Sequence, residues 1–324
     1  MDPEENSPTG EFPAALPPPL PPLPDPARRV VVDLGSLSHQ GRVRKNTEAH
    51  YLVLRPSRAL DILGTNLERE FAPPHIEQEG YIYIVADGLG GMAAGEYASM
   101  LAIRAGLASI LRSDYWCFRP DRQSGPEQLR RIRGHYLQID EILQQHARTS
   151  QSLQGMATTL TTIYTAGADA MLAHVGDSRA YLLREGRLRC LTRDHTIAQY
   201  LADSGVITAD EVATHARRHV LMNFAGGPSG GIQPQIHPFQ LADGDTLLLC
   251  TDGLTEMVEE ATISSILKSE ETAQLACLKL VDLALENGGA DNVTVVAARY
   301  RIPFDPGPPW FLGWELGPAL GEDA

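Results

Sequence analysis

Cysteine is scarce in this chain, with four in 324 residues, and Cys117, Cys190, Cys250 and Cys277 form no CxxC pair. That usage excludes a disulfide framework and a zinc knuckle and suits a reducing compartment. Cys250 lies inside an apolar run and reads as core. Long hydrophobic runs are also missing. None approaches the ~20 residues that cross a bilayer, and the N-terminus carries acids where a signal peptide needs bases. A cytoplasmic protein with no membrane partner is expected. Positive charge is in short supply too: 27 Lys and Arg stand against 41 Asp and Glu, a net charge of −14. This argues against nucleic acid or an anionic surface as the main partner. It is equally unfavourable for a phosphorylated ligand, unless bound cations reverse the local sign.

Hydrophobic residues make up 43% of the chain, enough for a globular core. Residues 1–29 form a Pro-rich arm. Its first 26 positions hold ten prolines, five acids and no base, a composition that cannot pack and predicts a disordered spacer. Residues 303–324 are a second Pro- and Gly-rich stretch, in which Trp310, Phe311 and Trp314 suggest contact with the body or with a partner. Between them, residues 30–302 read as one domain. Helical apolar spacing marks 93–111 and 127–148, and strand-like runs mark 81–86, 158–165, 171–175, 179–183, 187–191, 232–239, 246–250 and 293–299. Residues 55–80 read as a polar excursion and 113–126 as a loop. Helices in two blocks between runs of hairpin strands predict an α+β fold of antiparallel sheets covered by helices.

Four acidic motifs stand out: Asp87-Gly88-Leu89-Gly90-Gly91, Gly176-Asp177-Ser178-Arg179, Asp252-Gly253-Leu254 and Asp291-Asn292. The first three follow strand-like runs and the fourth precedes one. A strand end feeding a Gly-rich turn projects its carboxylate out of the sheet and admits close backbone approach. Several such carboxylates at one spot need counter-charge, which hard divalent cations supply. Singly, each Asp-Gly pair is an ordinary turn. Their order and spacing carry the weight.

Together with Arg44-Lys45-Asn46-Thr47-Glu48, Ala157-Thr158-Thr159-Leu160 and Thr192-Arg193-Asp194-His195-Thr196, these motifs resemble the metal-dependent (type 2C, PPM) serine/threonine protein phosphatases, the bacterial branch most closely. The resemblance spans about residues 33–299. It implies a central antiparallel β-sandwich flanked by helices on both faces, with two Mn²⁺ or Mg²⁺ ions at one edge. On this resemblance Asp87 bridges the ions and the Gly88 carbonyl meets the second. Asp252 and Asp291 complete the first, and Glu48 holds the second largely through water. Asp177 resembles the acid of a third ion site, and Arg44 the guanidinium that grips phosphate. The implied reaction is hydrolysis of phosphoserine and phosphothreonine by water that the two ions activate, with no covalent intermediate. The implied partners are phosphorylated proteins, serine/threonine kinases and their substrates among them, and a monomer is expected.

Two positions depart from the family pattern. Ala49 replaces an Asp that usually follows the acid matched to Glu48, so a weakened enzyme or a phosphoprotein-binding pseudophosphatase is the alternative. Adjacent strand residues face opposite sides, so His50 is not expected to compensate. Leu89 stands where eukaryotic relatives often carry a His proposed as general acid. Residues 196–224 resemble a flap beside the site. Within it His215 and His219 have zinc-like spacing, but with Arg217 and Arg218 they read as a solvated basic face. His174 reads as a satisfied interior residue and Ser178 as a turn residue. A structural calcium-binding protein is disfavoured, because the acids are too dispersed for a loop motif.

Overall fold

A computed structural model describes residues 29–68, 72–90, 92–112, 125–227, 231–309 and 311. Most of the N-terminal arm, the stretch 113–124, and both Trp310 and Trp314 lie outside the described residues.

The chain opens with β1 (Val31–His39), β2 (Ala49–Leu54), β3 (Ser57–Asp61) and the long β4 (His75–Leu89). Two helices follow, α1 (Met92–Arg112) and α2 (Gly125–Ala147). Next come β5 (Ala157–Thr158), β6 (Leu160–Ala166), β7 (Asp169–Val175), β8 (Arg179–Arg184) and β9 (Arg187–Cys190). Short helices α3 (Ile197–Asp203) and α4 (Ala209–Val212) precede β10 (Gln235–Gln240) and β11 (Thr246–Cys250). The chain then forms α5 (Asp252–Thr255), α6 (Glu260–Ser269), α7 (Ala273–Glu286) and β12 (Val293–Arg301).

All strand pairs are antiparallel. One sheet has the order β1-β12-β11-β8-β9, and the other β10-β7-β6-β4-β2, with β3 and β5 also paired to β4. The strand period of two sorts each central strand into two cores. Leu247 and Leu249 of β11 meet Tyr83, Val85, Ile163 and Leu172 between the sheets. Leu248 and Cys250, the alternate residues, pack under α6 and α7 with Ile263 and Leu280. On the far side Ile82, Ile84 and Ala86 of β4 pack under α1 and α2 with Ala98, Ala102 and Tyr136. The architecture is the four-layer α-β-β-α sandwich. Because both faces of these strands are covered, they read as continuous apolar runs despite being antiparallel.

Two expectations are corrected. Residues 55–80 are not a loose excursion, since β3 pairs with the first third of β4 to extend that strand into a hairpin. Every residue of β3 is exposed, so this hairpin rests on ladder hydrogen bonds and on pairs such as His75–Asp61, and it has no buried face. The strand expected over 158–165 is broken at Thr159, between β5 and β6. Past the last strand, Phe304 and Phe311 pack against the sandwich and helix-side cores respectively.

Ile163, fully buried between the sheets, provides a check on this packing. Ile163→Ala is expected to cost about 2–5 kcal/mol, read as a shift in the urea unfolding midpoint.

Candidate metal centre

Asp87 sits where β4 exchanges one partner strand for another. Its N–H donates to Thr159 Oγ1 at 3.0 Å, and its carbonyl accepts from Thr159 N–H at 2.8 Å and Thr158 Oγ1 at 2.9 Å. The break in the β5–β6 ladder therefore serves to grip the backbone of one acid. The next peptide is equally constrained. Gly88 N–H donates to the Glu48 carbonyl at 3.0 Å, and a Cβ on Gly88 would lie 2.0 Å from the Gly95 carbonyl of α1. A Cβ on Gly95 would in turn meet a Glu48 carboxylate oxygen at 2.3 Å. Only glycine lets the start of α1, the Asp87 turn and Glu48 close on one another.

Asn292 organises the opposite wall. It is 2% exposed; its Oδ1 accepts from Glu48 N–H, and its Nδ2 donates to the carbonyls of Gln40 at 2.7 Å and Asn46 at 2.9 Å. One carboxamide thus folds the 40–48 segment around Asp291, its neighbour in sequence. Ser99 Oγ adds a bond to the Glu48 carbonyl at 2.6 Å. Asp252 opens α5 directly after β11, behind Thr251, whose Oγ1 donates to the Asn292 carbonyl at 3.1 Å. Asp177 follows β7 through Gly176, whose φ of +109° is a left-handed conformation. Ser178 is fully buried and bonded to Thr159 Oγ1 at 2.8 Å, so it is a fixed turn residue as expected.

The structure brings Glu48, Asp87, Asp177, Asp252 and Asp291 to one edge of the sandwich, each half-buried. Burial holds the Asp87 carboxyl well above its ordinary range, and Asp252, Asp291 and Asp177 add repulsion. Asp252 is pushed up to about 7 by burial, then by Glu256 and Asp291. Asp177 is raised well above its ordinary range by burial, then by Asp252 and Asp194. Burial also raises Glu48, against the pull of Arg44. Asp252 Oδ1 is buried without a hydrogen-bond partner among the described residues. Desolvated carboxylates with a spare oxygen suit a hard divalent cation and little else. Arg44, expected to grip phosphate, is here ion-paired with Asp291.

Three further placements bear on the site. Ala49 is fully buried and lies directly across from Asp87 in the β2–β4 ladder. The ring of His50 bonds Ser99 Oγ of α1 at 2.8 Å, so it is committed to the helix and does not replace the missing Asp. His219 is exposed beside Arg217 and Arg218, as expected of a solvated basic face, but it is also paired. Its Nδ1 lies 2.8 Å from Glu256 Oε1, and ligand-type atoms of His219, Glu256 and Asp252 all fall within 4.8 Å of one another. His215 is not part of that group; its Nδ1 accepts from Arg217 N–H. His174, fully buried and bonded to Thr161 Oγ1 and the Gly176 carbonyl, is the satisfied interior residue expected. Asn292, Thr158 and Thr159 stood inside the quoted motifs without a role of their own, and Glu256 carried no signal in the sequence.

A family profile described as protein phosphatase 2C matches residues 71–279. The chain belongs to the protein phosphatase 2C family. Over 214 residues it is 39% identical to the Mycobacterium tuberculosis serine/threonine protein phosphatase PstP, covering 66% of this chain and 39% of that protein. It thus spans about two fifths of that relative's length. Over 223 residues it is 36% identical to the serine/threonine phosphatase stp of Listeria welshimeri, covering 68% of this chain and 85% of that one. The solved catalytic domain of PstP, in complex with two manganese ions, superposes with a TM-score of 0.64 at 32% identity, over 84% of this chain and all of that domain. The antiparallel sandwich of this phosphatase-family chain is therefore shared with solved relatives. Arg44, Glu48 and Asp291 lie outside the profile match but inside the fold.

The raised acids set a sign for stability. The folded, cation-free protein holds protons that the unfolded chain releases at the ordinary carboxylate range of about 4. Their stabilisation is present below that range and is lost as pH rises through about 7, the value for Asp252. The chelated protein is expected to melt at a lower temperature at pH 8 than at pH 5.5. Asp87→Asn should flatten that fall, and Mn²⁺ should raise the melting temperature more at pH 8. Thermal scans with and without chelator check all three.

Proposed function

We propose that this chain is a metal-dependent phosphatase that hydrolyses phosphoserine and phosphothreonine in proteins. The observation that carries the reading is the set of repelling, half-buried carboxylates around Asp87 and Asp252 in a protein phosphatase 2C fold. The donor set is oxygen-only at its centre, which fits Mn²⁺ or Mg²⁺. Asp87, the Gly88 carbonyl, Asp252 and Asp291 would hold two such ions, with Glu48 oriented toward the second. When bound, the pair supplies positive charge that activates water and neutralises the phosphoryl oxygens.

The chain's own residues do the rest. Thr159, Asn292 and Gly95 fix where the carboxylates stand. Arg44 presents a planar donor fork to the phosphate, exchanging its bond to Asp291 for one to substrate. Attack by water without a covalent intermediate is the course that the described side chains favour. Ser178 Oγ is buried against Thr159, and burial pushes the thiols of Cys190, Cys250 and Cys277 upward, away from the nucleophilic thiolate. A third cation would be held by Asp177, and His219, Asp252 and Glu256 offer a further group of ligand-type atoms at this edge.

Phosphoproteins, including serine/threonine kinases and their targets, are the substrates this reading favours, with the protein acting as a cytoplasmic monomer. Among the described residues no helix is long and apolar enough to cross a membrane. A binding-only role for the chain is not favoured, since every acid of the motif set is in place at the edge.

Hydrolysis of a phosphothreonine peptide with Mn²⁺ titrated in is the direct test. Asp252→Asn should lower turnover more than ~100-fold and chelation should do the same, while circular dichroism stays unchanged. Arg44→Ala should lower kcat/KM about 10- to 100-fold, as expected for losing a charged hydrogen bond. Undiminished hydrolysis in Asp252→Asn would refute the assignment. Ala49→Asp should change turnover less than ~10-fold, the scale of a supporting contact. A rise from none to brisk turnover would instead mark the natural chain as a binding protein.

A further inference from the structure

His195 takes no part in the acid cluster, yet four polar contacts converge on it. Its N–H donates to the Gly176 carbonyl at 2.7 Å, and its Nδ1 accepts from Gly176 N–H at 3.2 Å. The peptide just before Asp177 is thereby held from both sides. The same Nδ1 accepts from Asn223 Nδ2 at 3.0 Å, and the His195 carbonyl accepts from Met222 N–H at 2.8 Å. His195 lies at the entry to the segment carrying α3 and α4, and Met222 and Asn223 lie at its exit. Thr196 bridges Leu221, and Ile197 N–H donates to the Val220 carbonyl at 2.8 Å, so the two ends run side by side. Backbone bonds close the neck of the flap, and the His195 imidazole links that neck, through Asn223, to the turn before Asp177.

The chemistry of the ring is defined by its partners. With two donors aimed at Nδ1, the proton resides on Nε2 and the ring is neutral. Burial favours the same state, lowering this His to about 4. The ring lies against His174 with centroids 4.9 Å apart, and His174 Nε2 also bonds the Gly176 carbonyl at 3.1 Å. Asn223 is itself locked, accepting from Gln233 N–H at 3.1 Å and donating to the Gln233 carbonyl at 2.7 Å. A displacement of the flap neck has no slack to absorb it before it reaches Gly176.

We infer that His195 is a positioning residue that couples the flap to the Asp177 turn, so that the placement of the flap sets the placement of this acid. Its link to turnover rests on the reading of Asp177 as a cation-binding acid; the mechanical coupling does not. His195→Leu keeps the volume and removes the acceptor. His195→Asn restores it, because Asn Oδ1 stands close to where Nδ1 stood. Asn223→Ala removes the side-chain link from the flap neck to the ring and leaves the His195–Gly176 pair and the backbone bonds of the neck intact.

Hydrogen exchange on the cation-free full chain separates these cases. His195→Leu and Asn223→Ala are both expected to speed exchange about 10-fold in the 176–178 segment as well as across 196–222, with His195→Asn close to wild type. Faster exchange across 196–222 with 176–178 unchanged in Asn223→Ala would overturn the coupling, even if His195→Leu does not fold. A Mn²⁺ titration of peptide hydrolysis then reads the second link. Asn223→Ala should raise the Mn²⁺ concentration needed for half-maximal rate about 10-fold, and should have no further effect in an Asp177→Ala background. Coupling seen by exchange without this shift would refute the role given to Asp177 while leaving His195 as the hinge.

Discussion

Mutual repulsion among acids is the constraint around which this protein is arranged. Glu48, Asp87, Asp177, Asp252 and Asp291 come from five separate stretches of chain, and at Asp87, Asp177 and Asp252 burial first and neighbouring acids second disfavour the charge. Left to side-chain preference, such groups would turn out to solvent. They are held by backbone bonds instead. The Asp87 peptide is fastened by Thr158 and Thr159, the Glu48 peptide by Asn292, Ser99 and Gly88, and the Asp177 turn by His174 and His195. Three well-filled cores supply the rigidity to hold these backbones in place. Stability is spent at the edge and recovered between the layers.

The two walls of the site are built by different means. On the α1 side the device is the absence of side chains, since Gly88 and Gly95 bring a helix start and a strand end closer than any Cβ would allow. On the β12 side it is a single buried amide, Asn292, which meets three backbone groups of the 40–48 segment. The segment carrying α3 and α4 is tied back through His195 and through the His219–Glu256 pair.

Much of this was legible from residue order. The layers followed from apolar runs and their spacing, because both faces of β4, β11 and β12 are covered and the runs are therefore unbroken. The acids were legible because Asp-Gly turns after such runs recur at intervals too long for local capping. The β3–β4 hairpin was not, since Ser57-Arg58-Ala59-Leu60-Asp61 has no buried face and so no periodic pattern. Nor was the approach of His219 to Glu256, two exposed residues from distant segments with nothing in their local sequence to pair them. Threonines that bond a backbone look like any strand threonine until the register is known, which is why the motif holding Thr158 and Thr159 gave them no role.

Register has a further bearing on Asp87. It belongs to the β2 ladder opposite Ala49, while the next two residues pair with β5. A one-residue slip of β4 would turn Asp87 toward the helices and Tyr83 out of the sandwich in the same movement. A misregistered chain therefore loses its core along with the placement of its acids, so a folded chain with a misplaced Asp87 is not an available state. Correct strand pairing and correct placement of the acids are one event.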